Sequence, residues 1–239
     1  MQLLAWMGFG LFCLSSLVVG SKLLRLWWRT RELPELLGGV SLLSVGPLGF
    51  VPTMLSSHLG TAVGDVVWAC AFASLNLGCV AIFIFTVRVF YPGNRVLLGM
   101  VWAIGAGLTV CWFLEFHQTG FASDQPSGTP VRVSDWLRTL GLLWAAFESL
   151  RFHQKMRRRD ALGLGDAVVS MRFLLWGSGI GAGGCSSLID TTSKLLVMNA
   201  YQLDWLNLCI SVSGTIAAFA MWLAFMPPQR FQRMIRSEA

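Results

Sequence analysis

Long apolar stretches alternate with shorter polar ones along the whole of this chain. A helix needs about 17 to 25 residues to cross a hydrocarbon core about 30 Å thick, and the apolar stretches are of that order. The pattern predicts an all-α polytopic membrane protein that forms a seven-transmembrane-helix bundle. The predicted domain covers residues 1–239, with helices at about 3–20, 35–55, 63–90, 95–116, 135–151, 168–188 and 205–226.

Turn-forming and helix-breaking residues refine these boundaries. Pro47 lies inside the second segment and is expected to kink or break it. The sequence YPGN at 91–94 predicts a tight turn, so the third and fourth helices should form an antiparallel hairpin. Residues 118–134 are rich in Pro, Gly and Ser, which predicts the longest exposed loop, with Ser134 as the N-cap of the fifth helix. Pro227 and the proline after it should end the seventh helix.

Lysine and arginine are distributed unevenly between the segments. Four cations follow the first segment, two (Arg88 and Arg95) border the turn after the third segment, five lie within 151–159, and three lie in the C-terminal tail. The intervening connections carry one cation or none. Because cytoplasmic loops are enriched in Lys and Arg, this alternation predicts an external N-terminus and a cytoplasmic C-terminus in a plasma membrane, with a bacterial inner membrane as the expected location. No charge precedes the first segment, which favours an uncleaved anchor over a signal peptide.

Composition supports lipid as the main solvent. The chain is 55% hydrophobic and 13% charged, whereas soluble domains carry about 25% charged residues. The net charge of +6 comes with no aromatic platform or DNA-binding motif, so nucleic acid is not an expected partner. The basic stretch at 151–160 is instead predicted to be the third cytoplasmic loop, where it would attract anionic lipid or a protein partner.

The sequence contains few signs of catalysis. It has no P-loop, H-E-x-x-H, G-x-S-x-G or dinucleotide fingerprint, and its six cysteines lie in apolar stretches without a C-x-x-C pair. These cysteines are typical of small buried hydrophobes. An enzyme is therefore not the leading interpretation, and no cofactor is predicted from a motif.

One ionisable residue is expected at membrane depth, where charged side chains are functional suspects by default. Glu148 lies in the inner third of the fifth segment, and Arg88 and Arg172 should lie at a similar depth in the third and sixth. The sequence predicts a buried ion pair between Glu148 and one of these arginines. The alternative is a local i,i+3 pair with Arg151.

Three residues near the predicted outer surface have the chemistry of metal ligands. His58 precedes the third helix, and Glu115 and His117 close the fourth. Imidazole and carboxylate groups are ordinary ligands of Zn²⁺, which is therefore the candidate metal. The alternative is that these residues are the polar side chains that interfacial segments carry anyway.

The sixth segment contains GSGIGAGGCSS, with two overlapping G-x-x-x-G spacings. Small residues at this spacing let helices approach closely in lipid. They predict helix packing within the chain, with an oligomer interface, and so a homo-oligomer, as the alternative. The packing residues are Gly177, Gly179, Gly181 and Gly183.

Polar and aromatic residues at mid-depth indicate a small pocket among the third, sixth and seventh helices. Interhelical hydrogen bonds are the alternative explanation for the polar ones. The candidate ligand-binding residues are Asn76, Trp176, Asn207 and Ser211.

These features favour a sensor or receptor-like module that binds a small or lipophilic ligand and signals to a separate partner through its cytoplasmic loops. A transporter or permease component, or an accessory subunit of a membrane complex, is the first alternative. An intramembrane metal-dependent enzyme that uses His58, Glu115 and His117 is the second.

Overall fold

The computed structural model describes residues 2–121, 128–160, 162–163, 166–196, 204–228 and 231, and all regular structure in these ranges is helical. This confirms the all-α prediction. The helices are α1 (Gln2–Thr30), α2 (Leu33–Val45), a π-helical turn (Gly46–Phe50), α3 (Val51–Ser56), α4 (Thr61–Phe90), α5 (Arg95–Thr119), α6 (Thr129–Asp160), α7 (Ala167–Leu196) and α8 (Asp204–Phe225).

Five helical stretches in the described part of the chain are long and apolar enough to cross a membrane. A membrane protein is therefore supported, while the full set of seven spans and the sides of the termini remain predictions. α6 and α7 are not in this set because charges interrupt the apolar part of α6, and many glycines and serines dilute α7. The five stretches are Met7–Thr30, Leu33–Ser56, Ala62–Phe90, Arg95–Thr119 and Trp205–Phe225.

The chain divides into two compact units, and α1 and α6 each contribute to both. Unit 1 comprises Met1–Ser15 and Leu142–Ala239, and unit 2 comprises Ser16–Gly141. In unit 1, α7 packs against α6 and α8, and the start of α1 packs against α8. In unit 2, α2 packs against α1 and α4, and α4 also contacts α5 and α6.

The second helical stretch is broken where the sequence predicts it. Pro47 has no backbone N–H, so the carbonyl of Leu43 cannot receive its usual i→i−4 bond. The chain widens here into the π-helical turn, in which the Val51 amide bonds to the Gly46 carbonyl. The Ser74 hydroxyl of α4 donates to the Ser44 carbonyl at 3.0 Å, so a neighbouring helix supplies a hydrogen bond at the break.

The hairpin of α4 and α5 matches the sequence-based expectation closely. Asn94 accepts a hydrogen bond from the Leu97 amide at 3.1 Å and so caps α5. Gly120 ends α5 in the left-handed region at φ 62°, which glycine adopts without a Cβ clash.

The predicted bounds of the fifth helix were wrong at both ends. α6 runs over Thr129–Asp160, not 135–151, so it takes up part of the predicted loop at 118–134 and the whole basic stretch at 151–160. Ser134 lies buried inside the helix and is not an N-cap. Polarity marks where a chain leaves lipid, and a helix can continue beyond that point in water.

α7 is also longer than expected, since it extends to Leu196 and not only to 188. The extra turns are polar and are held by an i,i+4 ion pair between Lys194 and Asp190, with Nζ 2.6 Å from Oδ2. α1 likewise continues to Thr30, beyond the predicted boundary at 20.

Candidate functional site

A largely enclosed arginine of α6 contacts α4 in unit 2. The Arg138 side chain is only 12% exposed, and its Nη2 lies 3.0 Å from Oδ1 of Asp135, one turn earlier on α6. Its Nε donates to the Ser134 carbonyl at 3.2 Å. The guanidinium carbon lies 4.9 Å from the ring centroid of Phe72 on α4, which is a cation–π contact. A charge enclosed in this way is a functional candidate in a membrane protein.

Aromatic side chains from three parts of unit 2 surround the ring that Arg138 contacts. Phe72 packs edge-on against Phe121 with centroids 6.2 Å apart, and Trp112 lies 5.0 Å from Phe121. The Trp112 indole donates to the Ala69 carbonyl at 3.0 Å and so ties α5 to α4. Val131, in the first turn of α6, belongs to the same buried cluster. The cluster therefore fixes where the start of α6 sits on α4 and α5.

A buried carboxylate at the end of α5 caps the beginning of α6. Glu115 is 1% exposed. Its Oε1 accepts hydrogen bonds from the Thr119 hydroxyl at 3.1 Å and from the Gly128 amide at 3.3 Å. Gly128 immediately precedes α6, so the carboxylate satisfies an amide at the positive end of that helix.

Four buried polar atoms in unit 2 have no hydrogen-bond partner among the described residues: Oγ of Ser16, Oδ1 of Asn76, Oγ of Ser134 and Oε2 of Glu115. The Asn76 amide nitrogen donates to the Leu108 carbonyl at 3.2 Å, which leaves its oxygen available as an acceptor. Asn76 follows Phe72 by one turn, so the two share a face of α4. Buried polar atoms are normally paired, so Asn76, one turn from Phe72, and Ser134, one turn before Arg138, are candidate binding groups for a polar or charged ligand.

The predicted metal ligands are not brought together. Glu115 is buried and engaged with Thr119 and Gly128, whereas His117 is exposed on another face of α5 because two residues rotate a helix by about 200°. His58 is exposed in the turn after α3. Over the described ranges, no group of three or more His, Cys, Asp or Glu side chains is placed to hold a metal ion. The structure therefore does not gather His58, Glu115 and His117 into such a group, and a metal site built on them stays a prediction.

Glu148 is buried, as the sequence predicts, and Nη1 of Arg151 lies 3.6 Å from its Oε1. This is the local i,i+3 pair that was the alternative to a pair with a more distant arginine. Arg88 on α4 and Arg172 on α7 are both exposed. Among the described residues, no ion pair of Glu148 with Arg88 or Arg172 is seen. A pair with either arginine stays a prediction.

The four predicted pocket residues occupy different environments. Trp176 is buried and packs edge-on against Phe225, with centroids 5.4 Å apart. Ser211 is buried on α8 where the backbone of Gly8 approaches it most closely, and Asn207 is half-buried one turn earlier. These three lie in unit 1, whereas Asn76 belongs to unit 2. The unit 1 residues take part in helix packing, and Asn76 alone shares a helix face with Phe72, the ring that Arg138 contacts.

The glycines of α7 pack against two different helices. A Cβ at Gly177 would lie 3.0 Å from Ser149 on α6, and one at Gly181 would lie 3.5 Å from Ala146. A Cβ at Gly179 would instead meet Ala220 on α8 at 3.2 Å. Nothing lies within 4 Å of a Cβ at Gly183. Three of the four glycines thus lie at close helix contacts.

No known protein family, curated protein or solved structure matches this chain. Arg138 was not singled out from the sequence. A helix that began at Asp135 would place Arg138 within one turn of the membrane surface. The available signal was the D-W-L-R spacing at 135–138, which puts an acid and a base on one helix face.

Proposed function

We propose that this chain is an integral membrane sensor, receptor-like in action, that binds a small lipophilic anion at Arg138. Five apolar helical stretches support a place in the bilayer. The positive-inside pattern favours a plasma membrane, and a bacterial inner membrane is the expected setting. The signal would leave through the basic end of α6, to a separate protein partner.

The observation that carries this proposal is the enclosed guanidinium of Arg138 beside the aromatic ring of Phe72. A guanidinium binds carboxylate and phosphate groups through paired N–H donors, and an aromatic cluster accommodates an apolar body. An anion that reaches this site competes with Asp135 for the guanidinium. The unpaired acceptor of Asn76 and the hydroxyl of Ser134 can bind further polar atoms of such a ligand.

α6 offers a physical route from this site to an exposed surface. It is a single helix of 32 residues, which corresponds to about 48 Å. One helix thus contains Val131 in the aromatic cluster, Arg138 in the charged site and the cations at 151–159. A change in the first two turns of α6, where the contact between Asp135 and Arg138 would break, can therefore be transmitted along a continuous element.

A ligand series with one apolar body and different head groups tests the proposal. The purified chain in nanodiscs is titrated with phenylbutyrate, phenylbutanol and phenylbutylamine while tryptophan fluorescence and thermal unfolding are followed. We expect the carboxylate to raise the unfolding temperature and to change the fluorescence, because Trp68 and Trp112 belong to the cluster. Equal responses to all three compounds would contradict the proposal.

Variants on the same helix assign the response to the charged site. Arg138→Met should abolish binding of phenylbutyrate, and Arg138→Lys should keep part of it. Asp135→Asn removes the internal competitor, so affinity should rise. Arg132→Met is the matched control, because Arg132 is exposed on α6 and should not affect binding.

The broken helix around Pro47 favours a transporter as the second candidate, because discontinuous helices build the substrate sites of many secondary transporters. The hydroxyl of Ser74 contributes a hydrogen bond at that break. Proteoliposomes separate the two candidates. Accumulation of phenylbutyrate above the level in protein-free liposomes would favour transport, and binding without accumulation would favour the sensor.

A further inference from the structure

A shallow groove lies between the beginning of α7 and the end of α8 in unit 1. It is an open surface depression and not an enclosed cavity. Met171, Leu175 and Leu223 give it apolar walls, and Arg172 supplies one cation. The groove lies at the end of the candidate membrane span Trp205–Phe225, which places it near the boundary between lipid and water if that span crosses the bilayer.

The adjoining end of α6 is strongly cationic. Its exposed side chains include Arg151, Lys155 and the three arginines at 157–159, and Arg172 adds a sixth cation from α7. Acidic side chains near this end are fewer than the cations, and two of them have partners of their own. Glu148 pairs with Arg151, and Asp166 accepts the Val168 amide at 2.8 Å as the cap of α7.

This cationic end is fixed to the groove by contacts between α6 and α7. Nδ1 of His153 lies 2.8 Å from the Ser170 carbonyl, which it can bind only as a donor. The rings of Phe152 and Phe173 pack with centroids 4.5 Å apart. Arg172 lies between Ser170 and Phe173 in the sequence, so the groove and the basic surface belong to one packed end of unit 1.

We propose that this end of unit 1 binds an anionic phospholipid, with the phosphate at Arg172 and an acyl chain along the groove. Arg172 and the cations of α6 favour a negative group at one end of the occupant, and the apolar wall favours hydrocarbon at the other. Basic pockets between membrane helices are known to bind anionic lipid head groups. An acidic protein segment would satisfy the cations but would not need the groove. The proposal does not depend on the sensor function or on a ligand at Arg138.

Lipid retention by the purified full chain tests this proposal. The protein is exchanged into nanodiscs that contain phosphatidylglycerol, cardiolipin or only phosphatidylcholine, released, and examined by native mass spectrometry. We expect retained anionic lipid on the wild type and none from phosphatidylcholine alone. Arg172→Gln should lower the retained fraction about fivefold, since a cation near anionic lipid contributes that factor in affinity. Arg172→Lys should keep most of it.

Two further variants distinguish a lipid from other occupants. Leu175→Trp fills the groove without a change of charge and should lower retention, while Arg88→Gln, an exposed arginine on α4 of unit 2, is the matched control and should not. Circular dichroism verifies that each variant is folded. Retention of phosphatidylcholine equal to that of phosphatidylglycerol would overturn the proposal. So would binding of soluble glycerol phosphate as tight as that of the lipid, or an unchanged response in Leu175→Trp.

Discussion

At the scale of single residues, three enclosed charges in the described part of the chain have close polar partners. Arg138 is paired with Asp135 one turn away, Glu148 with Arg151, and Glu115 with the amide of Gly128. Burial of an ion in a low-dielectric interior is unfavourable unless pairing and hydrogen bonds offset it. Two of the three arrangements are local i,i+3 pairs, which form as soon as the helix forms.

The pair of Arg138 and Asp135 gives a residue-scale prediction. Arg138→Met should destabilise the protein by about 3 kcal/mol, because Asp135 would remain as a charge without this partner. The double change Arg138→Met with Asp135→Leu should recover most of that loss, since both charges are then gone. Thermal unfolding of the single and double variants in one detergent measures the difference. A double variant no more stable than Arg138→Met would contradict this account.

The close contact of Gly128 with Glu115 gives a second residue-scale prediction. A Cβ at Gly128 would lie 2.6 Å from Oε2 of the buried carboxylate, which cannot move without loss of its hydrogen bonds. We therefore expect Gly128→Ala to lower stability by about 1 to 3 kcal/mol. Gly99→Ala is the control. Nothing lies within 4 Å of a Cβ there, so this helical position should become more stable by about 0.5 to 1 kcal/mol. Similar unfolding temperatures for both variants would argue against the contact.

At the scale of helices, the sequence predicts that a helix is present better than it predicts where the helix begins and ends. α4 and α5 were predicted within a few residues because uniform apolar segments meet at the turn over 91–94. α6 was misjudged because its start depends on Glu115, a residue 13 positions before Gly128. Its end was misjudged because five cations in water do not stop a helix. Local composition shows neither the distant hydrogen bond nor the continuation into solvent.

The same limit applies to the candidate site. The burial of Glu148 and the packing role of the α7 glycines could be predicted from helical periodicity and residue size. Arg138 could not be assigned with confidence from sequence because its importance depends on Phe72, which comes from another helix. The three residues predicted as metal ligands show the reverse case. His117 and Glu115 are close in sequence but lie on different faces of α5.

The α7 glycines give an element-scale prediction. Gly177→Leu should destabilise the protein strongly, because even a Cβ would lie 3.0 Å from Ser149 and Leu150 of α6. Gly183→Leu, in the same helix and the same predicted packing set, should leave the unfolding temperature nearly unchanged since its Cβ faces open space. Thermal unfolding compares the two. Size-exclusion chromatography of Gly183→Leu also tests a homo-oligomer, which this change would dissociate if a second copy packs there.

At the scale of the whole molecule, the open question is how many helices cross the bilayer. Five stretches qualify by length and apolarity, and α6 and α7 do not. The lower hydropathy of α6 and α7 has a physical origin. α6 contains the charged pair at Asp135 and Arg138, and α7 contains the small residues that pack against its neighbours. A helix that buries polar groups against protein can cross lipid at lower hydropathy than one that faces lipid on all sides.

The connection between α6 and α7 decides between the two topologies. If both helices cross, residue 162 lies on the same side as the turn at 91–94, whereas if neither crosses it lies on the opposite side, with residues 58 and 129. The test uses a chain whose six native cysteines are replaced. Single cysteines are then introduced one at a time and labelled with an impermeant maleimide in intact cells. The substitutions are His58→Cys, Pro92→Cys, Thr129→Cys and Leu162→Cys. All four positions are exposed. We expect labelling at 58 and 129, and labelling at 92 and 162 only after permeabilisation. Labelling of 162 together with 58 would reduce the protein to five spans, and the basic end of α6 would then lie outside the cytoplasm, where it could not reach the partner proposed for it.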